Sequence, residues 1–265
     1  MECLKVNTTG SGPKEQLAAF LETQRYASIK GATTEFEKLE GVDLSEELGK
    51  WFIAISNIDR AMLDGSLDGY YHDNPNRDDI RLPKNKCGVV IELTGFPKTG
   101  PGAWQPTKAR VIIAGTDRSG TDDKNACDVN NIASPDNVFV IPGTSTLLIA
   151  EDTDHHTNNA LWAADISDTS SEPQLTRILS APAGAEITGL SAATFGAHSY
   201  IPMAFQHPDV GRSSIGYLGP FPKKAFAPAT GNSKKARATS FEGIPLQTGG
   251  ANENAVVSTT RFCYN

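Results

Sequence analysis

The chain has 265 residues, a formal net charge of −7, 38% hydrophobic residues, 24 Gly and 16 Pro. That length can bury a real core, while the acidic balance, with Lys and Arg scattered, excludes a nucleic-acid partner. No apolar run is long enough to span a bilayer, and the Gly/Pro punctuation suits short strands joined by turns better than a helical bundle.

At the N-terminus, MECLKVNTTGSGPKEQ carries a cysteine, charges and glycines where a signal peptide needs an apolar stretch, so none is expected. GPKEQLAAFLETQRYASIK predicts one helix around Leu17 to Arg25, with Leu17, Phe20, Leu21 and Tyr26 close to one face. Residues 1–32 form this N-terminal segment.

From Thr33 the period changes. KWFIAISNI, CGVVIELTGF, ARVIIAG, NVFVIPG, TLLIAED, ALWAADI, LTRILSA, SYIPMAFQ and SIGYLG are short apolar or alternating runs, each closed by Gly, Pro, Asn or Asp or by a polar stretch. They predict an all-β region over 33–222 with no intervening helices. DGYYHDNPNRDDIRLPKNK reads as a long polar insertion between strands, and residues 223–265 as an extended C-terminal arm.

Sandwich and propeller both suit such strands. A recurrence favours a (partial) β-propeller: KLEGVD before KWFIAISN, and SPDNV before TLLIAED, each pair an acidic strand entry followed by an apolar strand with a polar exit. In a propeller, equivalent loops gather at one mouth of the central channel. The second copy is also a hairpin. Folding at Pro142-Gly143 returns Glu151-Asp152 to the neighbourhood of Asp136.

The candidate ligands are hard oxygen donors: Glu40, Asp136, Glu151, Asp152, Asp154 and Glu186. Carboxylates gathered at one mouth repel one another without a cation, and this donor type selects calcium. The competing reading is that each acid caps a turn through backbone amides. His155 and His156 are adjacent and point to opposite faces, so they read as hydrogen-bonding loop residues rather than a metal pair. His207 either lines a channel or satisfies a backbone carbonyl, and the second is preferred. Lys38 is expected to share a face with Glu40 on an extended strand, where its ammonium would suit a phosphate oxygen; a surface ion pair is the plainer alternative. GxSxG, HExxH, P-loop and GxGxxG motifs are all absent. The four cysteines form no CxxC pair, so structural zinc is not expected. Cys87 and Cys127 fit either a disulfide or two inert thiols.

In order, CLKVN, LETQRYASIKGATTEFEKLEGVD, DIRLPKNKCGVVIEL, NIASPDNVFVIPG, LLIAEDTDHHTNNALWAADI, LTRILSAPAGAEITG, MAFQHP and GYLGPFP resemble the PhoX family of alkaline phosphatases, from about Cys3 to Pro222. The resemblance implies a β-propeller that hydrolyses phosphomonoesters with calcium and iron, and an exported protein. It implies that Glu40 stands at the glutamate of an Arg-Pro-Glu motif, a metal ligand, and that Lys38 takes the place of its phosphate-binding arginine. Asp136 with Asn137 matches a Pro-Asp-Asn motif, and Glu186 a Gly-Ala-Glu-Thr-Gly motif. The family's Cys-Glu-Glu segment, which supplies the iron thiolate, has no counterpart. The expectation is therefore a C-terminal portion with little activity of its own, needing its N-terminal half or another protein chain. The alternative is a non-catalytic calcium-binding module that docks a partner.

Overall fold

The computed structural model describes residues 13–33, 35–65, 78–96, 106–118, 120, 124–169 and 171–222. The expected C-terminal arm, 223–265, lies outside the described residues, as does the centre of the polar insertion, 66–77. The described chain is all-β apart from two short helices and a single 3-10 turn. Contacts group it into two compact units: Met1–Lys38 with Ile58–Lys84, and Leu39–Asn57 with Asn85–Asn265.

The first unit holds the helices. Where one helix is expected, two form, α1 at Pro13–Leu21 and α2 at Thr23–Ile29. Glu22 breaks them with φ −135° and ψ 47°, so the apolar stripe extrapolated through it loses its phase. Leu17, Phe20 and Leu21 are accordingly exposed, at 57%, 84% and 74%, and Ala18 is the buried residue of α1. Gly31, at φ 90°, ends α2 in a conformation that favours glycine. Further along, the buried carboxylate of Glu35 accepts from the Asp79 (2.9 Å) and Ile80 (2.5 Å) amides, which anchors the far end of the polar insertion.

The second unit consists of three antiparallel sheets. The first has β1 (Leu39–Ser45), β2 (Lys50–Ile55), β3 (Val89–Thr94) and β4 (Lys108–Ala114), in sequence order. The second has β5 (Pro135–Val140), β6 (Thr146–Glu151), β7 (Ala160–Asp165) and β8 (Leu175–Ser180), again in order. In the third, β11 (His198–Gln206) pairs with β12 (Ser214–Pro222) along one edge. Its other edge takes two short pieces, β9 (Glu186–Thr188) and β10 (Ala193–Phe195). All nine predicted runs are strands. β1 was expected only as the strand entry in KLEGVD, and β9 and β10, each three residues long, were not predicted.

Burial explains the composition of the middle sheet. One face, with Val138, Leu147, Ile149 and Trp162, packs on Phe52, Ala54, Val90 and Ile112 of the first sheet. The other, with Leu148, Ala150, Leu161 and Ala163, packs on Ile187, Ile201, Met203 and Phe205 of the third. A strand covered on both faces needs no polar alternation, so TLLIAE is buried throughout. Cys87 and Cys127 are joined in a disulfide, fully buried beside Ala133, which settles the alternative the sequence leaves open.

Candidate functional site

In an antiparallel pair, the start of one strand lies beside the exit of the next. The three sheets use this geometry in the same way. The first places Glu40 near the start of β1 beside Ser56 at the exit of β2, and the Ser56 hydroxyl lies 3.4 Å from Glu40 Oε1. In the second, the hairpin closes as predicted, with Gly143 in its turn at φ 74°. Pro135 pairs with Glu151, so Asp136 and Asp152 flank that pair. In the third, Glu186 pairs with Gln206, and His207 follows directly.

Two irregularities fall at the acids. The β1–β2 register shifts between Leu39 and Val42, the interval holding Glu40 and Gly41; the β5–β6 register shifts between Pro135 and Asn137, which leaves Asp136 as the extra residue. Bulges of this kind re-aim a side chain that ladder geometry would otherwise fix. Gly41 lets β1 reach β5, since a Cβ there would collide with Asp136 O and come within 2.8 Å of Val138 N. The Asp43 carboxylate then occupies an open amide of β5, accepting from Val140 N at 2.7 Å.

The electrostatic result is a carboxylate held under strain. Burial pushes the Asp136 carboxyl up to about 6, and the charges of Glu186, Glu40 and Asp152 add to the effect against a weaker opposing bond from Asn137. The Asn137 amide donates to Asp136, and Thr188 Oγ1 lies 3.3 Å from Asn137 Oδ1. Gln206 Nε2 donates to Glu186, and His207 Nε2 sits 3.2 Å from the same oxygen. Slight burial pulls the His207 imidazole down, but the bond and charge of Glu186 outweigh it and raise it above its ordinary value. Asp152, Glu186 and His207 each offer a ligand atom within 4.8 Å of the others. Ser134 and His207, both beside the cluster, have left-handed backbones at φ 41°, a conformation that non-glycine residues hold only where the surroundings enforce it.

Of the sequence candidates, Glu40, Asp136, Asp152 and Glu186 come together. Glu151 does not. Its side chain is fully buried and accepts from Ala133 N (2.9 Å), Ala160 N (2.8 Å) and Trp162 Nε1 (2.7 Å), with His156 Nδ1 at 3.0 Å. Strand alternation is the reason: Glu151 is the last residue of β6 and keeps facing the interior, while Asp152 leaves the strand. His156 is therefore a hydrogen-bonded loop residue, as expected. Asp154 is exposed in the same loop.

Lys38 belongs to the other compact unit and has φ 54°, one residue before β1 begins. The strand alternation expected to align it with Glu40 does not extend to it. His207 does bond a carbonyl, that of Gly184 at 3.2 Å, but it is also a cluster member that the sequence reading set aside. The signal was present: FQHP leaves β11 as AED leaves β6.

Comparisons with protein-family models, with curated proteins and with solved structures found no match.

Proposed function

We propose that this chain is a portion of a PhoX-like, calcium-dependent phosphomonoesterase, built as part of a β-propeller. One observation carries the reading: three successive sheets each bring an acid from the start of their first strand to one cluster. These are Glu40, Asp136 and Glu186, and they are joined by Asp152 and His207 from strand exits. An acid raised to about 6 by burial and three neighbouring carboxylates is a poor hydrogen-bonding arrangement and a good cation site.

The donor set suits calcium, which takes carboxylate and carbonyl oxygens. Glu40, Asp136, Asp152 and Glu186 would hold it, and when bound it would polarise a phosphoryl oxygen and offset developing charge. The chain's own residues do the positioning. The two bulges aim Glu40 and Asp136, Asn137 restrains the Asp136 carboxyl, and Gln206 with His207 orients Glu186. Iron fits these residues poorly: the described cysteines, Cys87 and Cys127, are tied in a disulfide and offer no thiolate. That disulfide supports an exported protein, since such bonds persist in oxidising compartments.

A second reading, a calcium-binding module without catalysis, is favoured by the composition around Asp136. The groups that meet the carboxylates of Glu40, Asp136 and Glu186 there include hydroxyl, amide and imidazole. Both readings require calcium. A titration by calorimetry, followed by an assay on a chromogenic phosphomonoester with and without an upstream PhoX half, separates them. Calcium binding with turnover only when the upstream half is added supports the first. Binding without turnover in either case supports the second, and no binding defeats both.

A further inference from the structure

The first two sheets of the second unit each have four full strands, and the third falls one short. β9 and β10 are short pieces on the same edge of β11, so together they fill a single strand's place. β11 and β12 follow, and among the described residues no further strand pairs with the outer edge of β12. The shortfall shows in burial. The third strands of the complete sheets, β3 and β7, have four and five buried residues of six, whereas β12 has only Gly216 of nine. Ile215 beside it is 54% exposed. An open edge of this length is a template for any strand that reaches it.

The outer strands of the two complete sheets share a sequence. β4 reads KARVIIA and β8 LTRILS, each with an arginine in third place and apolar residues directly after it. That arginine reaches back over the third strand. Arg110 Nη2 lies 3.1 Å from Glu92 Oε1, and the Arg177 guanidinium lies 5.3 Å from the centre of the Trp162 ring. Between residues 223 and 265 the pattern occurs at TTRFCY, Thr259 to Tyr264. KARATS, residues 235–240, begins alike but continues with Ala-Thr-Ser and supplies no apolar run. TTRFCY also follows Val256-Val257, which makes this the stretch of the segment richest in β-branched and aromatic residues.

We infer that Thr259 to Tyr264 is the missing fourth strand of the third sheet, antiparallel to β12 along Ser214 to Leu218. β4 and β8 are each reached by a connection longer than a tight turn, residues 95–107 and 166–174, and residues 223–258 form a longer one. An antiparallel neighbour starts beside the end of β12 and runs back toward Ser214. Pro220 and Pro222 cannot donate to a ladder, which confines the pairing to the first half of β12. On the added strand, Phe262 and Tyr264 share a face. Turned toward the second sheet, they extend the apolar contact that Leu218 makes there. A strand on this edge covers neither outer face of the stacked sheets, so it leaves both open to an upstream half. The inference is independent of the cation reading, because none of these residues belongs to the carboxylate cluster.

The test is amide hydrogen exchange of the full chain, read by mass spectrometry of its peptides. Peptides covering residues 259–264 and 214–218 should both exchange at least about tenfold more slowly than an unstructured chain. Deleting residues 255–265 should remove the protection at 214–218 and leave the β3 and β7 peptides unchanged, which also shows that the shortened chain folds. Phe262→Pro makes the same test in the full-length chain, since it takes away one ladder donor and the apolar side chain together. It too should release 214–218 alone. Exchange at 259–264 as fast as in an unstructured peptide overturns the proposal. So does a deletion that leaves 214–218 protected, or one that releases β4 or β8 instead. Protection at 259–264 that disappears on dilution overturns it as well, because the strand then comes from a second copy.

Discussion

Glu151 and Asp152 are consecutive, yet their carboxylates sit in opposite circumstances. Glu151 is surrounded by donors: two backbone amides, an indole and an imidazole. Asp152 is close enough to Asp136 for its charge to help push that carboxyl upward. The same residue chemistry thus produces a fold-holding anion on one side of a strand exit and a member of the proposed cation site on the other. What separates them is whether the polar groups facing each acid are N–H donors or other anions.

Removing the fold-holding anion should have the largest effect. Glu151→Ala strands a buried imidazole, an indole N–H and two amides, and breaking a buried charged network of this kind costs about 3–5 kcal/mol. Urea denaturation should show that loss equally with calcium and with chelator. A calcium-dependent difference would move Glu151 into the cation site and erase the contrast.

The next effect belongs to the other side. Ligand at a hundred times its dissociation constant adds about 2.7 kcal/mol to the folded state. Asp136→Asn should remove most of that gain while raising the stability of the calcium-free protein, because one of four mutually repelling charges is gone. Opposite signs with and without calcium are the mark of a site. A variant that is destabilised in both conditions would show that Asp136 serves the fold, as Glu151 does.

Gly41→Val sharpens the comparison from the backbone side. Its side chain would meet the Asp136 carbonyl and the Val138 amide, and overpacking of this sort costs about 1–3 kcal/mol. The calcium response should weaken too, because the new side chain pries the Glu40 bulge from the Asp136 bulge. An unchanged response would mean that the two acids bind independently.

These contrasts also explain what was legible in the sequence. The nine apolar runs are legible because strands in or beside a doubly covered sheet have little choice of residue. β1 was legible only as a strand entry at KLEGVD, because LEGVDLS puts polar residues and a glycine where pairing to β2 and the approach to β5 decide the structure. Grouping Glu40, Asp136, Asp152 and Glu186 followed from the hairpin and from the recurrence of acidic strand entries. Excluding Glu151 did not, since telling it from Asp152 requires knowing which residue ends β6. His207 was set aside because a histidine that satisfies a carbonyl is ordinary, and only the position of Glu186 shows that it does more.

The smallest effect is the pH dependence of the calcium-free protein, and its sign is informative. The Asp136 carboxyl stands at about 6 when folded against an ordinary value of 3.8, so between these values the folded state binds the extra proton. Stability linked to Asp136 is therefore present below the ordinary value and is lost as pH rises through about 6. Glu92 runs the other way. Burial pushes its carboxyl up, but bonds from Lys50 (2.7 Å), Thr169 (2.6 Å) and Arg110 (3.1 Å) outweigh that and hold it below 4.5. Its contribution is present above the ordinary range and is lost only in stronger acid. Without calcium, the melting temperature should thus rise modestly as pH falls from 7 to 5, then drop as Glu92 and its like are protonated. The rise is modest because Asp136 is only half buried and solvent screens its neighbours. With saturating calcium the slope from 5 to 7 should reverse, since the proton on Asp136 and the one favoured on His207 by Glu186 both compete with the cation. Asp136→Asn should flatten the calcium-free slope. A slope that survives in that variant would place the titrating group elsewhere and remove the electrostatic argument for the cluster.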